Sequence, residues 1–452
     1  MAGPLFGGAE FVMREAALFA AAGFLILGLS DLAVDLIWLG LRLRRPPRTA
    51  AAASPPARRP GPLAVFVPAW DEAAVIADML RGALHAWGEG DWRIYVGTYA
   101  NDPATIAAAQ AVASARVRIV TGAEPGPTTK ADCLNRLWQA LLADEMAEGR
   151  RAKAVILHDA EDVVHPEELG LFDRLIERFE LVQLPVLPLI DSNSRWLGGV
   201  YADEFAESHG KEMVVRGALG AGLPSAGVGC AFSREALGRL ADGRGGLPFD
   251  SDSLTEDYEL GLRLFEAGGR CAFLRCTAPA GGLVATREYF PGTLGAAVRQ
   301  KARWMTGIAL SGWDRLGWSG DAAERWMRLR DRQSLLAALL LCAGYLALAL
   351  WLALKARQGA GGPAPAPLPE ALSILLKVNL GLLGWRLAMR SGFTAAAYGW
   401  SEGLRAVPRV AIGNVVLVLA AASALSRYRA LRLGGRPRWD KTAHAFPARA
   451  AE

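Results

Sequence analysis

Two long apolar stretches set the first limit on how this chain can fold. Residues 334–354 contain 21 residues without a charge, and residues 16–40 form a 25-residue stretch interrupted only by Asp31 and Asp35. Each stretch is long enough to cross about 30 Å of hydrocarbon as a helix. A hydrophobic share of 52% over 452 residues is also high for a wholly soluble protein. The sequence therefore predicts a membrane protein with more than one domain.

The arginine-rich segment after the first stretch predicts its orientation. Basic residues concentrate on the cytoplasmic flank of membrane helices. The N-terminal stretch lacks a basic start and a small-residue cleavage site, which favours a retained anchor (1–42) over a removable signal peptide. We therefore expect a multi-pass protein of a bacterial inner membrane, with a periplasmic N-terminus and a cytoplasmic central domain. Six arginines lie between Asp35 and Asp71 with no carboxylate among them: Arg42, Arg44, Arg45, Arg48, Arg58 and Arg59.

Cysteine usage and charge narrow the class further. Five scattered cysteines form no CxxC pair, which favours a reducing compartment and argues against a zinc site. The net charge of +5 is spread along the membrane flanks. It therefore indicates attraction to anionic membrane lipids, and we expect no nucleic-acid partner.

The central segment predicts an α/β domain. Residues 43–61, rich in Arg, Pro and Ala, form a linker that we expect to contain neither helix nor strand. Across 62–290, β-type runs alternate with helical patterns, which predicts a Rossmann-like, mostly parallel sheet. The runs are LAVFVP (63–68), WRIYVGTY (92–99), VRIV (117–120) and AVILH (154–158).

The remaining segments pose a topology problem. The sequence predicts interfacial helices over residues 291–333 and two membrane helices over residues 334–390. It predicts a basic cytoplasmic tail over residues 427–452. A cytoplasmic tail requires an even number of crossings after the domain. We therefore expect 391–426 to hold an interfacial or re-entrant helix that starts at Pro408, giving three crossings in all; an additional membrane helix is the alternative.

Polar residues follow three of the predicted strands. Ligands bind beyond the carboxyl ends of parallel strands, and hard divalent cations such as Mg²⁺ or Mn²⁺ share oxygen ligands with phosphates. The acidic run therefore predicts a metal site, with a solvated acidic turn before a helix at Pro166 as the alternative. The candidates are Asp71 and Glu72, then Asn101 and Asp102, then Asp159, Glu161 and Asp162.

The triplet Thr255-Glu256-Asp257 predicts a helix start. Ser253 and Glu256 have capping-box spacing, which would account for Glu256 structurally. Asp257 then lies in the first turn, where the helix dipole favours its ionised form. An ionised carboxylate in a cleft can act as a general base.

A third motif lies on a basic, aromatic segment. Gln300, Arg303 and Trp304 fall within one helical turn. Arg303 can hold a pyrophosphate and Trp304 can stack on a sugar ring. The alternative is an ordinary membrane-interface helix with its usual Trp and Arg residues.

Taken in order, PAxDE, a DxD-like run, TED and QxxRW followed by membrane helices resemble the inverting, membrane-bound family 2 glycosyltransferases, such as cellulose, chitin and hyaluronan synthases. The chain is most similar to the bacteriophage adsorption protein B group of these enzymes. Four stretches carry that resemblance: VGTYANDPAT (96–105), GPTTKADCLN (126–135), HDAEDVVHP (158–166) and RWDKTAHAFP (438–447).

The resemblance implies a GT-A fold, a nucleotide-sugar donor, a divalent metal (Mg²⁺ or Mn²⁺) and exopolysaccharide synthesis, with a UDP-linked N-acetylhexosamine as the suggested donor. It implies that Asp159 takes one metal position and leaves open whether Glu161 or Asp162 takes the second. Its other implied roles are a catalytic base at Asp257 beside Glu256, and donor or acceptor binding at Asp71, Glu72, Asp102, Lys130, Gln300, Arg303 and Trp304.

Two other functions stay open at this point. One is addition of a single sugar to a polyprenyl phosphate, and the other is a non-catalytic membrane receptor or scaffold for phage or secretion partners. The QxxRW motif favours processive transfer to a growing glycan. Three crossings are few for a polymer channel, so we expect self-association or an export partner in the envelope.

Overall fold

A seven-stranded sheet forms the centre of the protein. The computed structural model describes residues 3–44, 48–49, 57–59, 61–435, 439, 441 and 444–447. The strands are β1 (Arg48–Thr49), β2 (Leu63–Pro68), β3 (Trp92–Tyr99), β4 (Val117–Gly122), β5 (Ala154–Leu157), β6 (Leu181–Gln183), β7 (Cys230–Ser233), β8 (Cys271–Phe273) and β9 (Cys276–Thr277). Strands β2 to β8 form the large sheet in the order β4-β3-β2-β5-β7-β6-β8, and β1 pairs with β9.

The four strands expected from the sequence are all present, and the sheet is mostly parallel as predicted. Strands β2, β3, β4 and β5 pair in parallel, as do β6 and β8. Only β7 runs against its neighbours β5 and β6. The short, apolar β2 and β5 are buried along their whole length, as central strands covered on both faces should be.

Helices cover the sheet and extend beyond it. In the domain they are α2 (Ile76–Trp87), α3 (Pro103–Gln110), α4 (Lys130–Glu148), α5 (Glu168–Leu175), α6 (Leu197–Glu207), α7 (Met213–Ala218), α8 (Arg234–Asp242) and α9 (Glu256–Glu266). The interfacial segment forms α10 (Leu294–Met305), α11 (Gly312–Leu316) and α12 (Ala322–Arg332). The long apolar helices are α1 (Gly3–Arg44), α13 (Ser334–Gly359), α14 (Glu370–Tyr398) and α15 (Trp400–Arg432).

Alternation along β2 builds a core on each face of the sheet. Val65 and Val67 face the core that contains α2, whereas Phe66 packs with Leu137 and Trp138 of α4 in the other. All five side chains are at most 1% exposed. Side chains with a period of two in a strand divide in this way between opposite faces.

Four helices, α1, α13, α14 and α15, are long and apolar enough to cross a membrane. Large apolar side chains on them are exposed in the isolated chain, as lipid-facing residues would be: Leu18, Ile26, Leu29, Leu339, Leu348, Leu380 and Leu425 are among these. Charged contacts join this bundle to the domain. Asp35 of α1 lies 2.5 Å from Lys211 Nζ, and Asp31 lies 3.0 Å from Arg330.

The expectation that the last apolar helix starts at Pro408 is wrong. Helix α15 begins at Trp400 and contains Pro408 in its interior. An interior proline removes a helical hydrogen bond and normally breaks a helix. Here the next residue, Arg409, is 1% exposed and forms ion pairs with Asp203 of α6 and with Glu402 about two turns earlier. These buried contacts hold the helix on both sides of the proline.

The expectation that 43–61 contains neither helix nor strand is also wrong in part. Helix α1 continues to Arg44, and Arg48–Thr49 forms a parallel pair with Cys276–Thr277. A two-residue strand needs no favourable propensity of its own when a partner edge supplies the hydrogen bonds. Residues 45–47, 50–56 and 60 lie outside the described residues.

Candidate active site

The parallel neighbours β2 and β5 bring two acidic loops to one edge of the sheet. Glu72 lies in the loop after β2, and residues 159–162 follow β5. His158 extends the ladder between the two strands by donating its backbone N–H to the Phe66 carbonyl at 3.1 Å. The sheet topology therefore supplies the site that parallel strands commonly form at their carboxyl ends.

The turn after β5 separates its carboxylates into two groups. The fully buried His158 ring has Nδ1 2.6 Å from Asp162 Oδ2 and Nε2 2.9 Å from Glu168 Oε1. Asp162 Oδ2 also accepts the Asp159 N–H at 3.1 Å. Asp162 is thus directed into the domain, whereas Asp159 and Glu161 line the cleft.

Electrostatics make His158 a structural cation. Burial alone would lower the pKa of His158, but Glu168 and Asp162 raise it to about 10. The ring therefore holds the acidic turn by charge-assisted hydrogen bonds at neutral pH.

Lys130 enters the cleft from the first turn of α4. The Thr129 hydroxyl caps that helix by accepting the Asp132 N–H at 3.1 Å, and the Asp132 carboxylate accepts the Thr129 N–H at 3.0 Å. This capping box fixes where the helix begins and places Lys130 Nζ 2.5 Å from Asp159 Oδ1. Burial alone would lower the pKa of Lys130, but Asp159, Glu256 and Asp257 raise it, so the cation is retained.

The TED triplet opens α9, although not by the predicted capping box. The N-cap is Thr255, whose side chain makes no capping bond, and Ser253 Oγ instead donates to Glu259 at 2.6 Å. The box fails because the helix starts two residues later than predicted: Thr255 takes the N-cap position, and Ser253 Oγ accepts the Thr255 N–H at 3.2 Å. Burial, followed by the charge of Asp257, raises the pKa of Glu256 to about 7.

Asp257 is held at the cleft wall. Its Oδ1 accepts the Tyr258 N–H at 2.7 Å, and its Oδ2 contacts Gly227 so closely that a Cβ there would collide with it. Gly227 has φ of +77°, a backbone conformation that glycine adopts without strain. Gly227 thus permits close packing, and the next residue, Val228, lines the cleft.

The QxxRW motif lies on α10 and faces the same cleft. Gln300, Arg303 and Trp304 all line it, and Gln300 Oε1 is buried with no hydrogen-bond partner among the described residues. Trp304 belongs to an aromatic group with Tyr201 and Phe290, at centroid distances of 6.1 and 6.4 Å. The Arg303 guanidinium, the Gln300 amide and the Trp304 ring therefore line the same cleft as the carboxylates.

Acidic side chains outnumber basic ones in this cleft. Burial raises the pKa of Glu161 well above its ordinary value, and the charges of Asp159, Glu288 and Glu72 add to that effect. The pKa of Glu288 is raised in the same way, by burial and then by Asp162 and Asp159. Such crowding of carboxylates is stabilised when a divalent cation binds among them. The carboxylates that line the cleft are those of Glu72, Asp159, Glu161, Glu256, Asp257 and Glu288.

The C-terminal segment returns to the cleft from the far end of the chain. Lys441 Nζ lies 3.3 Å from Glu72 Oε2, and His444 Nδ1 lies 3.1 Å from both Glu72 Oε1 and Glu161 Oε1. Trp439 also lines the cleft. Residues separated by more than 280 positions therefore meet at one site.

Asp71 and Asp102 lie at the rim and do not line the cleft. Both carboxylate oxygens of Asp102 accept backbone N–H groups, from Asp71 at 2.6 Å and Thr105 at 3.2 Å. Asp102 thereby caps α3 and fixes the loop that carries Asp71 and Glu72. The Asp71 side chain is 81% exposed.

Comparison with known proteins identifies the family. Residues 60–307 match the family described as glycosyltransferase-like family 2. The chain is a family 2 glycosyltransferase. Bacteriophage adsorption protein B of Escherichia coli K12 and bacteriophage N4 adsorption protein B of E. coli O157:H7 are each 35% identical to the transferase over 467 aligned residues. These alignments cover 96% of the transferase and 62% of each relative, so the chain spans less than two thirds of their length.

The fold of the transferase matches that of a solved enzyme. The mannosyltransferase PcManGT from Pyrobaculum calidifontis, in complex with GDP-Man and Mn²⁺, superposes with a TM-score of 0.50 at 18% identity. The match covers 90% of the transferase and 99% of PcManGT. The GT-A fold implied by the sequence resemblance is therefore confirmed.

Three titratable residues that line the transferase cleft were not among the sequence candidates: Glu288, Lys441 and His444. Glu288 carries no local motif and reaches the site because Val163 bridges Arg287 beside the acidic turn. Lys441 and His444 lie inside RWDKTAHAFP, one of the four stretches that carry the family resemblance. That shared stretch, so far from the domain, was the available signal that the tail has a role at the site.

Proposed function

We propose that this transferase moves a sugar, with inversion, from a nucleotide-sugar donor to a growing exopolysaccharide at the cytoplasmic face of a bacterial inner membrane, in a metal-dependent reaction. The observation that carries the proposal is the shared cleft. Asp257, the Asp159 and Glu161 carboxylates and the QxxRW side chains all line it. A UDP-linked N-acetylhexosamine is the proposed donor.

In this mechanism Asp257 is the general base. It takes the proton from the acceptor hydroxyl as that oxygen attacks the anomeric carbon from the face opposite the diphosphate. The bond between the sugar and the diphosphate breaks as the new glycosidic bond forms, so the configuration inverts. The hydrogen bond from the Tyr258 N–H to Oδ1 orients the carboxylate and leaves Oδ2 toward Gly227 and the cleft.

Basic side chains receive the diphosphate. Arg303 lines the cleft on α10 and Lys130 lines it on α4. A guanidinium can bind two phosphate oxygens at once, and a buried ammonium stabilises the negative charge that develops on the leaving group. A bound Mg²⁺ or Mn²⁺ would supply further charge neutralisation to the diphosphate.

The donor set of the cleft fits a hard divalent cation. Asp159 and Glu161 face the cleft, whereas Asp162 is held by His158. We therefore assign the second position of the acidic motif to Glu161. Carboxylate oxygens and an imidazole nitrogen are suitable ligands for Mn²⁺, and carboxylates suit Mg²⁺.

Contacts along α15 support three membrane crossings. Its start pairs with α6 through Arg409 and Asp203, its middle packs Val416 against Ala297 of α10, and its end places Tyr428 against Asp314 of α11. A helix that touches the domain along its length lies beside it at the membrane surface. Helices α1, α13 and α14 then cross, and the tail returns on the same side as the domain, where His444 meets the cleft.

A second acceptor is favoured by a cavity among the long helices. This cavity, of about 570 Å³, is lined by leucines and by polar residues that include Asp31, Asp35, Asn379, Arg386 and Arg390. An apolar pocket with a few polar groups suits the chain of a lipid, as in transfer of a single sugar to a polyprenyl phosphate. Product length after incubation with labelled donor separates a polymer from a singly glycosylated lipid.

The test of the proposed function is a donor screen on the purified full chain with Mg²⁺ or Mn²⁺, reading the released nucleoside diphosphate and the labelled product. Asp257→Asn should lower transfer by about 100-fold to 10,000-fold while donor binding is retained. Asp252→Asn, an exposed acid in the loop before α9, is the matched control and should keep full activity. Full transfer by Asp257→Asn would exclude the proposed base, and a wild type inactive with every donor would exclude the proposed function.

A further inference from the structure

The side chain of Gln183 forms hydrogen bonds to the loop that precedes β7. Gln183 is the last residue of β6, and its surface is fully buried. Its Oε1 accepts the Ala226 N–H at 2.8 Å, and its Nε2 donates to the Val228 carbonyl at 2.9 Å and to the Gly229 carbonyl at 3.3 Å. The same Nε2 donates to the Leu184 carbonyl at 2.9 Å. A buried amide whose donor and acceptor are both bonded has one favoured orientation and fixes the groups that it contacts.

Loop 226–229 bends too sharply to belong to the sheet. Gly227 has φ of +77° and Gly229 has φ of +56°, values that lie outside the range of a strand. The ladder between β6 and β7 therefore ends at Cys230, which pairs with Gln183. Backbone polar groups that leave a ladder need other partners when they are buried. The Gln183 amide supplies such partners to three groups of the loop.

The chain before β7 also packs against α9, the helix that carries Asp257. A Cβ at Gly227 would collide with Asp257 Oδ2. One turn further along α9, a Cβ at Gly261 would collide with the backbone of residues 223–225. The loop and the helix therefore touch at two points, and the position of the loop sets the space available to the carboxylate.

Two contacts orient the Asp257 carboxylate. Its Oδ1 accepts the Tyr258 N–H at 2.7 Å, and its Oδ2 lies against Gly227. Rotation of an aspartate carboxylate about its last side-chain bond is only loosely restricted by its own geometry, so these contacts decide where Oδ2 points. A general base must lie within hydrogen-bond reach of the proton that it removes. The side chains proposed to receive the diphosphate, Arg303 and Lys130, do not depend on this loop.

We infer that Gln183 is a positioning residue of this transferase: its amide fixes loop 226–229 and, through Gly227, holds the Asp257 carboxylate in the orientation for proton transfer. Gln183 is not among the residues that line the cleft, whereas Ala226 and Val228 of the loop are. The inference rests on the proposed role of Asp257 as the general base and deepens it by naming the residue that sets the geometry of that base.

The kinetic test compares Gln183→Met with Val182→Ala, using the donor that the screen identifies. Methionine fills a similar space but makes none of the hydrogen bonds, so kcat should fall by about 10- to 100-fold, since a misplacement of about 1 Å caused by a remote change can cost about 100-fold. The KM for the donor should stay near that of the wild type because the donor contacts are unchanged. Gln183→Glu, which keeps the acceptor and loses the donor, is the second variant and should lower kcat in the same way.

Val182→Ala is the matched control for a loss of packing. Val182 is fully buried on the opposite face of the same strand, so its truncation should lower the thermal midpoint and leave kcat unchanged. Wild-type kcat in both Gln183 variants would overturn the inference. An equal fall of kcat in Val182→Ala would overturn it too, since the effect would then follow stability alone.

A double-mutant cycle shows whether Gln183 acts through the loop. Gly227→Ala directs a Cβ at Asp257 Oδ2 and should lower kcat by itself. If both changes displace the same loop, the variant that combines Gln183→Met with Gly227→Ala should lose less than the product of the two separate losses. Losses that simply multiply would show that Gln183 does not act through Gly227.

Amide hydrogen exchange tests the same contact without turnover. Peptides that cover 224–230 and the start of α9 should exchange faster in Gln183→Met than in the wild type or Val182→Ala. If the wild type turns over donor while exchange and kcat are unchanged in Gln183→Met, only the positioning role falls. If no donor is turned over while exchange accelerates in these peptides, the contact stands and the proposed reaction falls.

Discussion

The catalytic cleft and the contact between the domain and the long helices both bury carboxylates, but they differ in how those charges are balanced. At the helix contact, Asp35 pairs with Lys211, Glu207 with Arg390, and Asp203 with Arg409. In the cleft, described carboxylates outnumber basic side chains. Paired buried charges hold elements in register, whereas an excess of one sign marks the place where a ligand of opposite charge binds.

The sharpest test of this difference is removal of divalent metal. If the excess carboxylates are there to bind a cation, a chelator should reduce transfer to background because the diphosphate would meet uncompensated negative charge. Added Mn²⁺ or Mg²⁺ should restore it. Nucleoside diphosphate release measures both steps, and full activity in excess chelator would show that the cleft works without a metal.

Glu161→Gln and Asp162→Asn form a matched pair within the acidic turn. Glu161 faces the cleft, so its amide should lower Mn²⁺ affinity by about 100-fold and leave thermal stability nearly unchanged. Asp162 holds His158 at 2.6 Å, so its amide should lower stability by about 1–3 kcal/mol and affect metal binding less. Titration with Mn²⁺ and thermal unfolding give both values, and the reverse order of metal affinities would assign the ligand to Asp162.

At the contact between the domain and the long helices, where buried charges are paired, Arg409→Met should destabilise the fold without changing the residues of the cleft. It leaves Asp203, whose side chain is 1% exposed, without its guanidinium, and breaking such a buried pair costs about 3–5 kcal/mol. Arg405→Met removes a pair to Glu402 from a side chain that is 36% exposed and should cost about 0–1 kcal/mol. Thermal unfolding in detergent compares the two, and equal losses would mean that burial does not decide the effect.

The smallest expected effect concerns His209, a buried histidine with no acidic partner in the part of the chain that the structure describes. Burial, with a contribution from Arg275, lowers the pKa of His209 to about 3, and its Nδ1 accepts the Val186 N–H at 2.8 Å. Between the unfolded pKa of about 6.5 and about 3, the unfolded chain binds a proton that the folded chain does not. Stability should therefore fall as pH drops through that range.

His209→Asn keeps an acceptor for the Val186 N–H but does not titrate there. Its thermal midpoint should decline less than that of the wild type between pH 7 and pH 4. Parallel curves for the two proteins would show that His209 is protonated in the folded state. The His209 side chain does not itself line the cleft, but it contacts Val186 and Phe205, which do. Transfer measured at neutral pH therefore shows whether the substitution disturbs the cleft.

The sequence by itself determined the strands, the order of the motifs and the family, because each depends on residues close together along the chain. The apolar run LAVFVP predicts a strand, and the 21 uncharged residues from 334 to 354 predict a long apolar helix; both are present. The four ordered motifs likewise predict the GT-A fold.

Only the tertiary structure decided which side chains meet. Glu161 and Asp162 are neighbours with the same charge, and nothing local separates them; the distinction arises because Glu168 positions His158 against Asp162. The capping box at Ser253 was wrong because α9 begins at Glu256, which places Ser253 two residues before the N-cap. Its hydroxyl accepts the Thr255 N–H and donates to Glu259 instead. His444 reaches Glu72 across 372 positions, since a site at the edge of a sheet is filled by whichever segment packs there, and spacing along the chain does not encode that contact.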